Sequence, residues 1–299
     1  MHQSSEAAEC GSLADARRGS RAPITRAPSL AASRRRWNPS CSSLITSRFY
    51  FFVLFACSAF AKNIPASPDG RFAIVAKLAS DDFEHGTGQW TAELEKGGSV
   101  TAGGCVLDID VPRGCSLWFR KPFSGPILIT YEATAVKAGG PNDRVSDLNC
   151  FWMARDVRTP DDLFASHRSG KFADYDELRC YYVGLGGNYN TTTRFRRYVG
   201  RTGDRPLLPT QDLKAKEYLI EPNVSQQIAL LAAGGTIEYY RDGRRLFAYD
   251  DPAPYTSGWF AFRTVWSHLR IRHFRVYRLE PRQGGPAEGI ERAAKETER

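Results

Sequence analysis

Thr236-Ile237-Glu238-Tyr239-Tyr240-Arg241-Asp242-Gly243-Arg244-Arg245-Leu246-Phe247-Ala248-Tyr249 decides the class of fold. Two runs rich in β-branched and aromatic residues flank an Asp-Gly pair. That pair is the dipeptide which most readily supplies two positive φ angles to a tight hairpin. Further runs lie on both sides, at 226–232, 258–266 and 269–279. Upstream, period-two patterns recur at 72–78, 89–94, 105–111, 115–120, 126–137, 147–154, 177–184 and 192–199. Pro112-Arg113-Gly114 reads as a hairpin turn between two of these runs. Another strand is expected near 217–219, and Gly184-Leu185-Gly186-Gly187 reads as a turn. A polar insertion over 155–176 is expected to hold a short helix around 161–164.

No segment carries a long helical period, and no phosphate-cradling loop precedes a helix. Regularly spaced strands with turn signals predict an all-β chain folded as an antiparallel β-sandwich over residues 72–280. Aromatic residues make up 12% of the 299 residues, with 26 glycines and 17 prolines, a balance that favours strands and turns over a helical bundle.

The net charge of +8 belongs mainly to the start of the chain. Residues 1–48 carry eight arginines against Glu6, Glu9 and Asp15, a net of +5, so the remainder is only +3. A phosphate-tracking surface is therefore not demanded, and no nucleic-acid partner is expected. Residues 1–40, rich in Ser, Ala and Arg, read as a disordered basic leader or an over-extended start. Residues 41–61 read as a secretory signal: Arg48, the apolar run 49–56, then Ala59-Phe60-Ala61, with cleavage expected after Ala61. The run is too short to span a bilayer, so no stable membrane span is expected after processing. An internal apolar strand is the plain alternative, and a loose lipobox ending on Cys57 would make the protein a lipoprotein. The expected location is secreted or periplasmic. The tail, 281–299, is expected to fray.

Cys105, Cys115, Cys150 and Cys180 remain in the mature body. Four cysteines allow three pairings, between which the sequence does not choose, and small buried thiols are an equal reading. No Cys/His metal spacing appears, so neither a metal site nor a cofactor is expected. Acidic loops leave a structural Ca²⁺ open without a recognisable ligand loop.

Several stretches resemble known families. Asp81-Asp82-Phe83-Glu84 with Trp90, the 235–243 segment, and Gly258-Trp259-Phe260-Ala261-Phe262-Arg263 resemble concanavalin-A-like jelly rolls. The centre is more specific. Asn142-Asp143-Arg144, the 147–154 segment, Tyr181-Tyr182-Val183-Gly184 and the 190–198 segment resemble an uncharacterised bacterial family, domain-of-unknown-function family 6250. The likeness covers about 78–280. It implies the jelly-roll fold and, by association only, the breakdown of pectin and rhamnogalacturonan.

Alternation sorts the side chains that would line a groove on the middle strands. Arg194, Arg196 and Tyr198 share one face. Thr264, Trp266 and His268 align on a later strand, and Asn149 lies on a third. Arginine forks match carboxylates, and indole or phenol faces suit sugar C–H groups, so the expected partner is an acidic glycan. A β-eliminating lyase neutralises the uronate carboxylate and removes the neighbouring proton. Arg194 and Arg196 are the expected carboxylate ligands, with Asn149 and Trp266 as further substrate contacts. His268 or Tyr181 is the expected base and Tyr198 the acid. Each has a plain reading: solvated arginines, a core indole, a surface histidine, a turn-satisfying amide, and one of Tyr181 and Tyr182 structural. His167 lies in the insertion, a position open to a lid. A non-catalytic carbohydrate-binding sandwich and a glycoside hydrolase are the alternatives. The hydrolase needs two flanking carboxyl groups, and the Glu-x-Asp-x-x-Glu strand of concanavalin-A-like glucanases is missing here.

Overall fold

The computed structural model describes residues 67–282. The leader, the signal segment with Cys57, and the tail beyond 282 lie outside the described residues. The fold is an antiparallel β-sandwich of the jelly-roll kind. Its strands are β1 (Phe72–Asp81), β2 (Trp90–Leu94), β3 (Ser99–Gly103), β4 (Val106–Phe119), β5 (Phe123–Ser124), β6 (Ile127–Ala135) and β7 (Asn149–Asp156), followed by β8 (Leu178–Gly186), β9 (Thr192–Val199), β10 (Asp212–Leu213), β11 (Ser225–Ala233), β12 (Thr236–Arg241), β13 (Arg244–Asp250) and β14 (Ser257–Pro281).

The long strands β4 and β14 belong to both layers. In the first layer the order is β10-β9-β8-β7-β14-β4-β2. In the second it is β13-β12-β11-β6-β14, with β1 and then β4 on the far side of β14. Both strands bend together. The register slips between Val265 and Ser267, where β14 faces Gly114 and Val111, and Trp266 adopts φ 43. The hairpin expected at Pro112-Arg113-Gly114 is therefore not a hairpin: the segment is the bend of one continuous 14-residue strand. The runs at 258–266 and 269–279 are likewise halves of one 25-residue strand. A bulge mimics a turn in sequence because both demand residues that leave the ladder.

The Asp-Gly hairpin is present, with Asp242 at φ 51 and Gly243 at φ 76. The strand expected near 217–219 is instead a 3-10 turn at Lys216–Tyr218. The 155–176 insertion begins after Asp156 and holds 3-10 turns at Leu163–Ala165 and Phe172–Tyr175.

Between the layers lies the main core, including Leu117, Trp152, Tyr181, Phe195, Leu230, Tyr239, Phe260 and Phe274. Each such side chain removed from water contributes about 1.5–3 kcal/mol. Trp90 anchors one end, in ring contact with Phe119, Phe260, Phe262 and Phe274. Cys115, Cys150 and Cys180 are buried free thiols and Cys105 is a half-buried one, so none of the three pairings is formed. Burial pushes Cys115 and Cys150 up to about 12. Among the described residues no helix is long and apolar enough to cross a membrane, and no cluster of potential metal ligands occurs.

Candidate functional site

The outer face of the first layer carries a polar row running across its strands. Register places Glu93 of β2 beside Ser116 of β4, Ser116 beside Arg263 of β14, and Arg263 beside Asn149 of β7. One step from the Cys150–Val183 pair the row reaches Gly184 of β8, then Arg194 of β9 and Asp212 of β10. Neighbouring strands lie about 4.8 Å apart, so these groups form a nearly continuous polar line. Beneath it runs an aromatic row containing Trp118, Phe151 and Tyr182, which ends at Arg196.

The insertion covers one half of this face. Leu163 and Tyr175 pack on Trp118, which stacks on Phe151 at 5.7 Å. The Glu93 carboxylate accepts hydrogen bonds from Trp118 Nε1 and Tyr175 Oη, both at 2.8 Å. Arg168, fully buried, pairs with Glu93 at 2.8 Å and with Asp156 at 3.0 Å. Arg263 donates to the Gly170 carbonyl at 2.7 Å.

The other half is open, as a cleft of about 340 Å³ lined by Arg144, Asp147, Asn149, Tyr182, Arg194 and Arg196 among others. Gly184 makes room on its floor: a Cβ there would sit 2.9 Å from the Tyr182 hydroxyl. Asp147, at φ 61, accepts from Arg144 at 2.7 Å and from the Asn149 amide at 3.1 Å. The Asn149 Oδ1 is buried without a hydrogen-bond partner. Arg194 forms a two-point pair with Asp212 at 2.7 and 3.2 Å. Arg196 donates to the Arg205 carbonyl but has no carboxylate within ion-pair distance among the described residues. Burial pulls its pKa down, and the guanidiniums of Arg194 and Arg205 add to that. Arg205 is itself committed to Asp176.

The lip is built from strained backbone. Asn188, Tyr189 and Asn190 occupy the left-handed region in succession, at φ 52, 60 and 58. Non-glycine residues there cost about 1–2 kcal/mol each, and such outliers cluster at functional sites. The turn presents Tyr189, 68% exposed, with the Arg144 guanidinium 4.6 Å from its ring centroid. Arg144 also lies 5.0 Å from the Trp266 ring, so the exposed indole stands at the same lip.

The sequence-derived candidates divide accordingly. Arg194, Arg196 and Asn149 line the cleft, and Trp266 reaches it through Arg144. Tyr198 is on the same face but fully buried, its hydroxyl unpartnered and its pKa raised by burial. Tyr181 does not face the groove. Alternation along β8 turns its ring into the core, where the hydroxyl donates to Asp251 at 2.7 Å. Burial and that carboxylate push its pKa far up, which is unlike a base. The groove-facing phenol is Tyr182.

His268 is also outside the cleft lining. It lies past the β14 bend, between Asp143 at 2.9 Å and Asp108 at 3.1 Å. Burial opposes its charge, but the two carboxylates outweigh that and its pKa is raised. His167 is exposed on the insertion. Arg144, Asp147, Tyr182 and Tyr189 escaped selection as site residues. The signals for them were the Tyr182–Gly184 spacing on one strand face and the Asn-Tyr-Asn run, since Asn tolerates positive φ.

No curated protein matches the chain. Among solved structures, a protein of unknown function with a galectin-like fold from Bacillus subtilis aligns with a TM-score of 0.55 at 16% identity, over 71% of this chain and 100% of its own. LamA from Z. galactanivorans, solved with laminaritriose and laminaritetraose, aligns at 0.47 and 10% identity, over 69% and 100%. The carbohydrate-binding module CBM66 from Bacillus subtilis aligns at 0.43 and 12%, over 63% and 95%. At 16% identity, the likeness to the galectin-like protein is one of fold alone. The family model described as domain of unknown function DUF6250 matches residues 109–274, more than half of the sequence, and the chain belongs to that family.

Proposed function

We propose that the open cleft binds the carboxylate of a uronic-acid residue in a poly- or oligosaccharide, and that the protein is an exported carbohydrate-active enzyme working by β-elimination. The observation that carries this reading is Arg196, a half-buried guanidinium without an acidic partner, facing the same space as the orphaned Asn149 Oδ1. A cation held where it is poorly solvated favours an anion, and a buried acceptor without a donor favours a hydroxyl. A sugar acid supplies both groups.

Neutralising the carboxylate through Arg196 makes the adjacent C5–H more acidic. Tyr189, exposed at the lip, takes that proton in its phenolate form and becomes the neutral phenol. The C4–O bond then breaks as the C4=C5 double bond forms. Tyr182 gives its proton to the departing oxygen. Burial raises its pKa well above the ordinary phenol value, so it holds that proton until charge develops on the leaving group. Among the described residues Asp147 is the one carboxylate lining the cleft, and it is bound to Arg144, which favours elimination over the two-carboxyl chemistry of a hydrolase. The resemblance to proteins associated with pectin breakdown makes galacturonate polymers the first substrates to try.

The test is incubation of the purified protein with polygalacturonate, rhamnogalacturonan and other uronate polymers. Ultraviolet absorbance from unsaturated ends is the expected result. Reducing ends without absorbance would overturn elimination, and binding without product would leave only a carbohydrate-binding role.

A further inference from the structure

A second cleft, of about 380 Å³, opens at the far end of β8 from the first and has no part in the chemistry above. Its charged lining is Arg155 of β7 and Arg179 of β8, which are direct cross-strand partners, together with Asp156, whose carboxylate is held by Arg158 and Arg168. Two like charges placed opposite each other destabilise a sheet unless something relieves them. Neither guanidinium has a carboxylate within ion-pair distance among the described residues.

The nearby acids are already committed. Asp156 holds Arg158 and Arg168, Asp251 holds Arg197, and Glu177 accepts from Thr202. Arg155 spends its donors on neutral oxygens, those of Pro160 and Ser257, and keeps further N–H groups free.

The cleft is also built rather than incidental. Its wall, 253–257, is fixed by hydrogen bonds to several elements. Ala253 N donates to Asp251, Arg197 donates to the Ala253 carbonyl, Tyr255 N donates to the Tyr181 hydroxyl, and Gly125 N donates to the Thr256 carbonyl. The Arg179 stem is seated against Gly200, where a Cβ would come 3.2 Å from Arg179 Cγ and 2.4 Å from Val157 Cγ1. Val157, Pro160, Pro254 and Tyr255 supply an apolar side. The space exceeds that of a single small ion.

We infer that this cleft is a second anion-binding site, taking an oxyanion carried by a ring-sized molecule such as a sulfated or carboxylated sugar. The guanidiniums of Arg155 and Arg179 grip the oxyanion, and the ring packs on the Pro254–Tyr255 side. Tyr181 thereby has a positioning role, since its hydroxyl ties Asp251 to the wall.

The test is titration calorimetry on the full chain with galactose 6-sulfate, galacturonate and inorganic sulfate at constant ionic strength. Arg179 is exposed and unpaired, so R179Q is expected to fold normally. It should weaken binding of the sugar sulfate at least about tenfold, as expected for loss of a charge-assisted bidentate contact, with R179K intermediate. R196Q, in the first cleft, should leave this binding unchanged. A sugar sulfate that binds more tightly than inorganic sulfate supports the ring-sized ligand. Equal affinities would overturn that part and leave a site for the free ion. Binding by R179Q equal to wild type, or no heat with any of the three anions, would overturn the site itself. The first cleft is read separately, by galacturonate heat that R196Q removes and R179Q leaves, so failure of the one site is distinguishable from failure of the other.

Discussion

The two halves of the outer face of the first layer are built from the same polar row and treat charge in opposite ways. Under the insertion, Arg168 is sealed from water and satisfied by Glu93, Asp156 and the Leu163 carbonyl. In the open half, Arg196 is half-buried and meets only a backbone carbonyl. Taking a guanidinium out of water costs several kcal/mol unless partners replace the lost hydration. The covered half supplies those partners from within the chain. The open half lacks them, and that deficit marks it as the place for a ligand. Arg263 lies on the border: fully buried, it is bonded to Gly170 and Ser116, its guanidinium is 5.0 Å from the Tyr175 ring, and its Nε and Nη2 are unpartnered.

Substitutions should separate the halves. The largest effect on stability is expected from Arg168→Met, which leaves Glu93 without its cation under the insertion and Asp156 with Arg158 alone. A loss of about 3–5 kcal/mol, read by denaturant unfolding, is the expected outcome. A loss below about 1 kcal/mol would make the pair equivalent to a surface contact and remove the contrast.

Arg196→Gln should do the reverse. Stability should stay within about 0.5 kcal/mol of wild type, while turnover of a uronate polymer falls about 100-fold or more. Full activity in this variant would end the proposed carboxylate role. Asn149→Ala should reduce turnover by about tenfold at little cost to stability, because the buried Oδ1 lost has no partner to strand. The amide's own bond to Asp147 limits how small that cost can be, so a large destabilisation would make Asn149 a structural residue.

The smallest effect concerns pH at the border of the lip. Asp143 bonds the amides of Ala138 and Gly140, with His268 as a further partner, and its pKa is lowered to about 2. Its contribution to stability is therefore complete above the ordinary carboxylate range and lost as pH falls toward about 2. His268 has the opposite sign. With a folded pKa above 6.5, its contribution is complete below that value and lost as pH rises through the raised pKa. The loop that carries Arg144 should thus be firmest in mildly acidic solution. The His268 imidazole, followed by NMR, should titrate above 6.5, and Asp143→Asn should bring its midpoint down. An unmoved midpoint would show that Asp143 does not govern His268.

The difference between the halves also explains what could be read in the chain. Alternation put Arg194, Arg196 and Asn149 on defined strand faces, because a β-strand has a fixed period and each face is committed to core or exterior. It equally separated Tyr181 from Tyr182 without saying which pointed inward. That choice depends on which side the second layer occupies. His268 aligned with Trp266 on a straight strand, but the bulge at Trp266 breaks the alternation. A bulge is set by the partner strand as much as by its own residues.

Local patterning thus determined the all-β class, the Asp-Gly hairpin, the polar insertion and the facial grouping of the arginines, since each follows from neighbours a few residues away. Tertiary structure alone decided that β4 and β14 run unbroken through both layers, that the insertion closes one half of the row, and that Asp212 satisfies Arg194 while Arg196 goes unpaired. Those outcomes rest on contacts between residues far apart in the chain, and charge pairing and burial are properties of such contacts rather than of the residues themselves.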